Sequence, residues 1–212
     1  MEISNKKILK QEMKRITIIQ AAKELFLEQR YSSITMDVIA RRAGITKRTL
    51  YAYFPSKLAL FIHLFDEYLQ HLLQQVTKSA KQDLPAKELI VSLFTALFEF
   101  TRDNEKFMRL YWTLDSNEFD GLIPEELMSR IRIWTKAIFE ESRMVMEKAK
   151  SEGVLSPGLS TELVIHLMSA MNKGIFIHTS KENKFEIANV DPGKLFQVAS
   201  DTLTRGLFLY AS

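Results

Sequence analysis

The sequence predicts an all-α fold, in which a small N-terminal three-helix domain is joined by a long fourth helix to a larger helical bundle. Three observations carry that prediction. Glycine (7) and proline (5) are scarce in 212 residues, so the chain has few points at which helices must stop. Apolar residues recur at spacings of three and four along most of its length. No stretch alternates apolar and polar residues for long enough to read as a strand. A 46% hydrophobic and 26% charged composition is the ordinary balance of a globular protein, and the length suffices for two small cores.

Residues 1–13 read as a loose basic arm or a frayed helix start. From Lys14 to about Gln29, Ile19, Ala22, Leu25 and Phe26 keep helical period. Tyr31, Ser32 and Ser33 interrupt it. Thr35 stands where an N-cap belongs, and Val38, Ile39 and Ala43 give the next, two-turn helix its apolar face. Gly44 ends that helix, because glycine enters the left-handed region without steric cost. Thr46 caps a third helix running from Lys47 to about Tyr53, with Leu50 and Phe54 inward. Ser56 caps the fourth, whose Leu60, Phe61, Leu64, Phe65, Tyr68, Leu72 and Val76 form one apolar stripe.

Further helices are expected from Pro85 to about Arg102, from Glu105 to Leu114, and from Glu125 to about Ser151, the last ended by Gly153. Ser160 caps a helix reaching about Thr179, and Pro192 opens one reaching about Tyr210. Asp115 to Ile123 and Ser180 to Asn189 read as loops. The domains are expected at 1–57 and 58–212.

Composition excludes several function classes. With no cysteine there are no disulfides, no thiolate nucleophile and no cysteine-ligated zinc, which fits a cytoplasmic location. The charged N-terminus is unlike a signal peptide, and no run of 18 apolar residues suggests a membrane span. The four histidines (His63, His71, His166 and His178) form no tight ligand cluster, and neither a glycine-rich phosphate loop nor a nucleophile elbow is present. The sequence therefore reads as a non-enzyme, with no cofactor and no metal.

Charge points instead to a polyanion partner. Residues 1–57 carry 12 Lys or Arg against 5 Asp or Glu, a net of +7, while the remainder carries 17 against 21, a net of −4. Within that basic quarter, Thr35 to Phe54 has the helix, tight turn and helix of a helix-turn-helix, whose second helix enters the major groove of DNA. Its outward residues are Lys47, Arg48 and Tyr51, with Thr49 and Tyr53 beside them. Lysine and arginine suit phosphates and guanine edges, tyrosine hydroxyls reach phosphates, and threonine methyls meet thymine. The amides at the three helix N-termini, at Thr35, Thr46 and Ser56, are natural phosphate sites. Lys57 opposes the dipole of the fourth helix, which a nearby phosphate would explain.

Residues 16–65 resemble the DNA-binding domain of the TetR family of bacterial repressors. The run Ala21-Ala22-Lys23-Glu24-Leu25-Phe26 is similar to the family's first helix, and the stretch Thr35 to Lys57 to its helix-turn-helix and the start of its fourth helix. Two positions depart from the pattern. Arg30 stands where the family usually has glycine, with a modest local cost expected, and Arg48 where it often has a small residue.

The resemblance implies a second domain that binds a small effector and dimerises through its last two long helices. The homodimer face would use Leu163, Leu167, Met171, Leu195, Val198, Leu203 and Leu207. Candidate pocket residues are Phe94, Leu97, Phe98, Phe107, Met108, Tyr111, Trp112, Trp134, Ile138 and Met144, whose adaptable side chains suit an apolar or amphipathic ligand. Asp115, Glu118, Glu140 and Glu141 would favour a cationic ligand if they faced inward. The expected function is a sequence-specific regulator that binds a palindromic double-stranded operator, a repressor released by its ligand. The alternative is a regulator without a small-molecule effector, controlled by dimerisation or a protein partner.

Overall fold

The computed structural model describes residues 2–113, 124–155, 158–179 and 190–209. The expected loops at Asp115 to Ile123 and Ser180 to Asn189 lie outside them, as do Asp115 and Glu118. The helices are α1 (Glu2–Glu28), α2 (Met36–Arg42), α3 (Lys47–Tyr53), α4 (Lys57–Ala80), α5 (Ala86–Asp103), α6 (Glu105–Thr113), α7 (Glu125–Ser151), α8 (Thr161–His178) and α9 (Pro192–Leu209), with a single 3₁₀ turn at Tyr31–Ser33. The described residues are thus all-α, as the sequence predicts. Of the two readings of the N-terminal residues, the helix start holds: residues 2–13 continue α1, because Lys, Glu, Leu and Gln favour helix and nothing there breaks it. By packing, the chain divides into two compact units, Met1–Tyr68 with Thr113–Ile131 and Leu69–Trp112 with Arg132–Ser212.

The N-terminal unit is built around Ile18, Leu25, Phe26, Ile39, Leu50 and Phe54, all nearly inaccessible. The 27-residue α1 packs on α2, and α2 on α3. Gly44 adopts φ +64°, donating its N–H to the Arg41 carbonyl while Ile45 donates to that of Ala40. This pair of bonds is a Schellman ending, which satisfies carbonyls that α2 would otherwise leave open and turns the chain towards α3. Phe61 of α4 meets Phe26 edge-on at 4.9 Å and Tyr31 at 4.7 Å, fixing the first turns of α4 against α1 and the 3₁₀ turn. Arg30 has φ −63° and ψ 136°, ordinary extended backbone, so the arginine costs nothing where a glycine was expected to be missed.

In the second unit α5 packs on α8 and α9. Phe98, Ile175 and Phe176 form a buried cluster, and Phe196 stacks on Phe98 at 4.1 Å. The Glu152 carboxylate accepts the Ala86 N–H at 3.0 Å, giving α5 the anionic cap that Pro85 cannot supply. Gly153, at φ +69°, ends α7 with the same Schellman pair.

Candidate nucleic-acid interface and ligand cavity

The helix-turn-helix is held open by its caps. Thr35 Oγ1 accepts the Val38 N–H at 3.3 Å, Thr46 Oγ1 the Thr49 N–H at 3.1 Å, and Ser56 Oγ the Ala59 N–H at 3.1 Å. Each hydroxyl satisfies one amide of its first turn. Leu50 and Phe54 anchor α3 in the core, which turns Lys47, Arg48 and Tyr51 outward, all three exposed. Thr49 and Tyr53 are half-buried, Thr49 sharing a 2.9 Å hydroxyl hydrogen bond with Thr46. Lys47 Nζ donates to Asp37 Oδ2 at 2.9 Å across the turn, and that carboxylate holds its ammonium above the ordinary lysine value. Arg48 has no hydrogen bond or ion pair among the described residues. Its guanidinium is the uncommitted fork on this surface.

Lys57 is different. Its Nζ donates to the carbonyls of Tyr31 and Ile34, both at 2.8 Å, and lies 3.9 Å from the centre of the Tyr31 ring. Burial pushes its ammonium below the ordinary lysine value. Two of three N–H donors are therefore spent inside the fold, tying the 3₁₀ turn to α4. The dipole argument for a phosphate partner loses its force, since these carbonyls already explain the charge.

The second unit holds a cavity of about 280 Å³. Leu69, Leu72 and Val76 of α4 wall it, together with Leu93 and Leu97 of α5 and Met108, Tyr111 and Trp112 of α6. From α7 come Thr135, Ile138, Phe139 and Ser142, and from α8 Ile165, His166, Met168, Ser169 and Asn172. His166 and Ser169 are exposed and mark its mouth.

Residues 18–64 match the family model for bacterial regulatory proteins of the tetR family. This stretch is a DNA-binding domain of the TetR type. Over 129 residues it is 26% identical to the HTH-type transcriptional activator FasR of Mycolicibacterium smegmatis, a match covering 61% of this chain and only 57% of FasR. Over 147 residues it is 28% identical to the biofilm operon icaADBC HTH-type negative transcriptional regulator IcaR of Staphylococcus aureus, covering 65% of this chain and 76% of IcaR. Among solved structures it is similar to the transcriptional regulator FadR of Bacillus subtilis in complex with stearoyl-CoA, at TM-score 0.69 and 19% identity over 92% of this chain and 98% of that one. The fold is thus shared over most of the chain, and residues 18–64 form the DNA-binding part of a transcriptional regulator.

The sequence-based pocket divides in two. Leu97, Met108, Tyr111, Trp112 and Ile138 line the cavity. Phe94, Phe98 and Phe107 are 5% exposed or less and belong to the solid core, Trp134 is half-buried outside the lining, and Met144 points to solvent. No acidic residue lines the cavity; Glu140 pairs with Arg143 at 2.8 Å, and Glu141, outside the lining, keeps one carboxylate oxygen buried without a hydrogen-bond partner. Of the side chains missed, Asn172 had a legible signal, a polar residue inside the apolar run of α8. The α4 and α7 linings had none, since only the packing of distant helices brings them together. The dimer set also divides. Leu163, Leu167 and Val198 are exposed, Met171 and Leu195 half-buried, and Leu203 and Leu207 buried within the protomer, where they cannot face a partner. Ile177, 46% exposed, joins the exposed group. Among the described residues no helix is long and apolar enough to cross a membrane, and no group of three or more His, Asp or Glu is placed to hold a metal.

Proposed function

We propose that this TetR-family regulator is a homodimeric repressor released from a palindromic double-stranded operator by a small, predominantly apolar effector. Its reading head is residues 1–57, and residues 58–212 bind the effector and dimerise. Lys47, Arg48, Thr49, Tyr51 and Tyr53 meet the DNA, while the N-termini capped by Thr35, Thr46 and Ser56 meet phosphates. Two-fold pairing of the exposed α8 and α9 faces presents two such heads, whose spacing must match about one helical turn, roughly 34–36 Å, or a multiple.

The observation that carries ligand control is the cavity, and above all the presence in its wall of Leu69, Leu72 and Val76 from α4. The same helix begins at Lys57, a few residues after the recognition helix ends, so the segment a ligand would touch belongs to a helix that also enters the head. At about 280 Å³ the cavity is at the small end of ligand pockets, which favours a compact effector over a long-chain acyl-CoA of the kind bound by FadR. The direction of control follows IcaR, a negative regulator, although FasR is an activator.

The test is calorimetric titration of a candidate effector with and without saturating operator. Linkage requires that operator DNA weaken effector binding by the factor by which effector weakens DNA binding, typically about 5–150-fold. Equal affinities in the two titrations reject control by that molecule, and no response to a broad compound screen favours a regulator without an effector.

A further inference from the structure

The apolar cavity contains one polar atom in an unusual state. Asn172 is 2% exposed and lines the cavity. Its amide N–H donates to Thr101 Oγ1 at 2.8 Å, and the Thr101 hydroxyl donates to the Leu97 carbonyl at 2.8 Å. This relay fixes the amide orientation. Thr101 has a single hydroxyl hydrogen, spent on Leu97, so it offers Asn172 only a lone pair. Reversing the amide would leave the Thr101 hydroxyl to choose between the Leu97 carbonyl and Asn172 Oδ1, one hydrogen bond where the relay has two. Asn172 Oδ1 is therefore left over, buried and without a hydrogen-bond partner. A buried acceptor in that state costs free energy until a donor reaches it.

The other polar side chains of the wall, among them Tyr111, Trp112, His166 and Ser169, do not hydrogen-bond to it. The Ser142 hydroxyl donates to the Ile138 carbonyl at 3.0 Å, and that of Thr135 to the Arg132 carbonyl at 3.3 Å. No Lys, Arg, Asp or Glu lines the cavity, and His166 is exposed, so an ionised group taken into the interior beside Asn172 would shed its hydration with no fixed opposite charge there.

We infer that the effector is a neutral, compact hydrocarbon bearing a hydroxyl, of the phenol type, whose O–H donates to Asn172 Oδ1. This rests on the reading of the cavity as the effector site. It turns a general preference for apolar molecules into a discrimination between molecules of equal size. The acceptor rewards a donor and penalises an isostere that lacks one, and Asn172 is the specificity-determining residue.

Three probes of one shape test this on the full-length protein: 4-propylphenol, propylbenzene and 4-propylbenzoate. Binding is followed by tryptophan fluorescence, with Trp112 in the wall as reporter. The wild type is expected to bind the phenol about fivefold or more tightly than propylbenzene, and about tenfold or more tightly than the benzoate. Asn172→Leu should keep propylbenzene binding and lose the preference for the phenol. Thr101→Val, nearly isosteric, removes the oxygen that orients the amide and should shrink the same preference, giving a second readout if Asn172→Leu does not fold. Equal or tighter binding of propylbenzene to the wild type overturns the hydroxyl inference and leaves the cavity reading standing. Tight benzoate binding overturns neutrality. A phenol preference that survives both substitutions takes the role away from Asn172. Binding of none of the three overturns the inference together with the cavity reading.

Discussion

The two units of this chain handle polar groups in opposite ways. In the head, almost every polar side chain near the recognition helix is committed before DNA arrives: three hydroxyls cap helices, Lys57 holds two carbonyls and Lys47 is paired to Asp37. Arg48 and Tyr51 stand out from a rigid frame. The second unit leaves Asn172 Oδ1 unpaired in its interior and Leu163, Leu167, Ile177 and Val198 exposed on its surface. A surface that reads a hydrated, highly charged duplex gains from preorganisation, because ordering side chains at the moment of binding costs entropy. For the second unit to bind the proposed ligand and a second copy of itself, it must keep something unsatisfied for them to satisfy.

The sharpest way to break the comparison is at the exposed apolar face. Leu163→Glu combined with Val198→Glu should split the dimer while leaving helix content intact, and sedimentation should show a single chain. Operator affinity should fall by about 10²–10⁴-fold, because each head then binds alone. Leu203→Glu makes the contrast. That side chain is 5% exposed inside the protomer, so the charge should unfold the second unit, visible as lost circular dichroism. If Leu203→Glu stayed folded and only split the dimer, the assignment of the two leucines to the interior would be wrong.

The next effects concern the head. Arg48→Ala should relax base preference at one operator position by roughly 1–3 kcal/mol if its free fork reads a guanine. Binding to single-base operator variants measures it, and an unchanged ranking removes Arg48 from base reading. Lys57→Met should lower thermal stability, since two charge-assisted hydrogen bonds are lost, at about 1.5–3 kcal/mol each in general. The salt dependence of operator binding should barely change. A slope shallower by about one would return Lys57 to the phosphates.

The same contrast explains what the sequence disclosed. Thr35, Thr46, Ser160 and Gly44 were legible because a cap or a Schellman turn is decided by residues within a few positions of each other. Lys57 was misread because its partners, Tyr31 and Ile34, lie 26 and 23 positions away. The cavity was half legible for the same reason. Met108, Tyr111 and Trp112 sit together on one short helix, whereas Leu72, Phe139 and His166 meet only after three helices have packed. Phe94, Phe98 and Phe107 show that size and adaptability do not separate a lining residue from plain core; the direction each side chain faces does.

The smallest expected effect is the most informative about how the head is prepared. Asp37 holds the Lys47 ammonium at 2.9 Å, yet both side chains are more than half exposed, so the pair contributes little to stability. Its importance lies in what happens when a phosphate approaches. If the phosphate takes Lys47 from Asp37, the carboxylate is left as a negative charge beside the DNA, and wild-type affinity is held down. Asp37→Asn should then tighten operator binding severalfold at low salt and steepen the salt dependence by about 0.9 in the log–log slope, since one more cation is free to displace a counterion. The gain should fade as salt rises and screening removes the repulsion. The effect should not depend on pH near neutrality, because Asp37 raises an ammonium that is already fully charged there. Weaker binding by Asp37→Asn would mean the opposite: the carboxylate keeps Lys47 in the complex and aims it, and the pair is part of the preorganised frame. Operator titrations at several salt concentrations, wild type against variant, separate the two by sign.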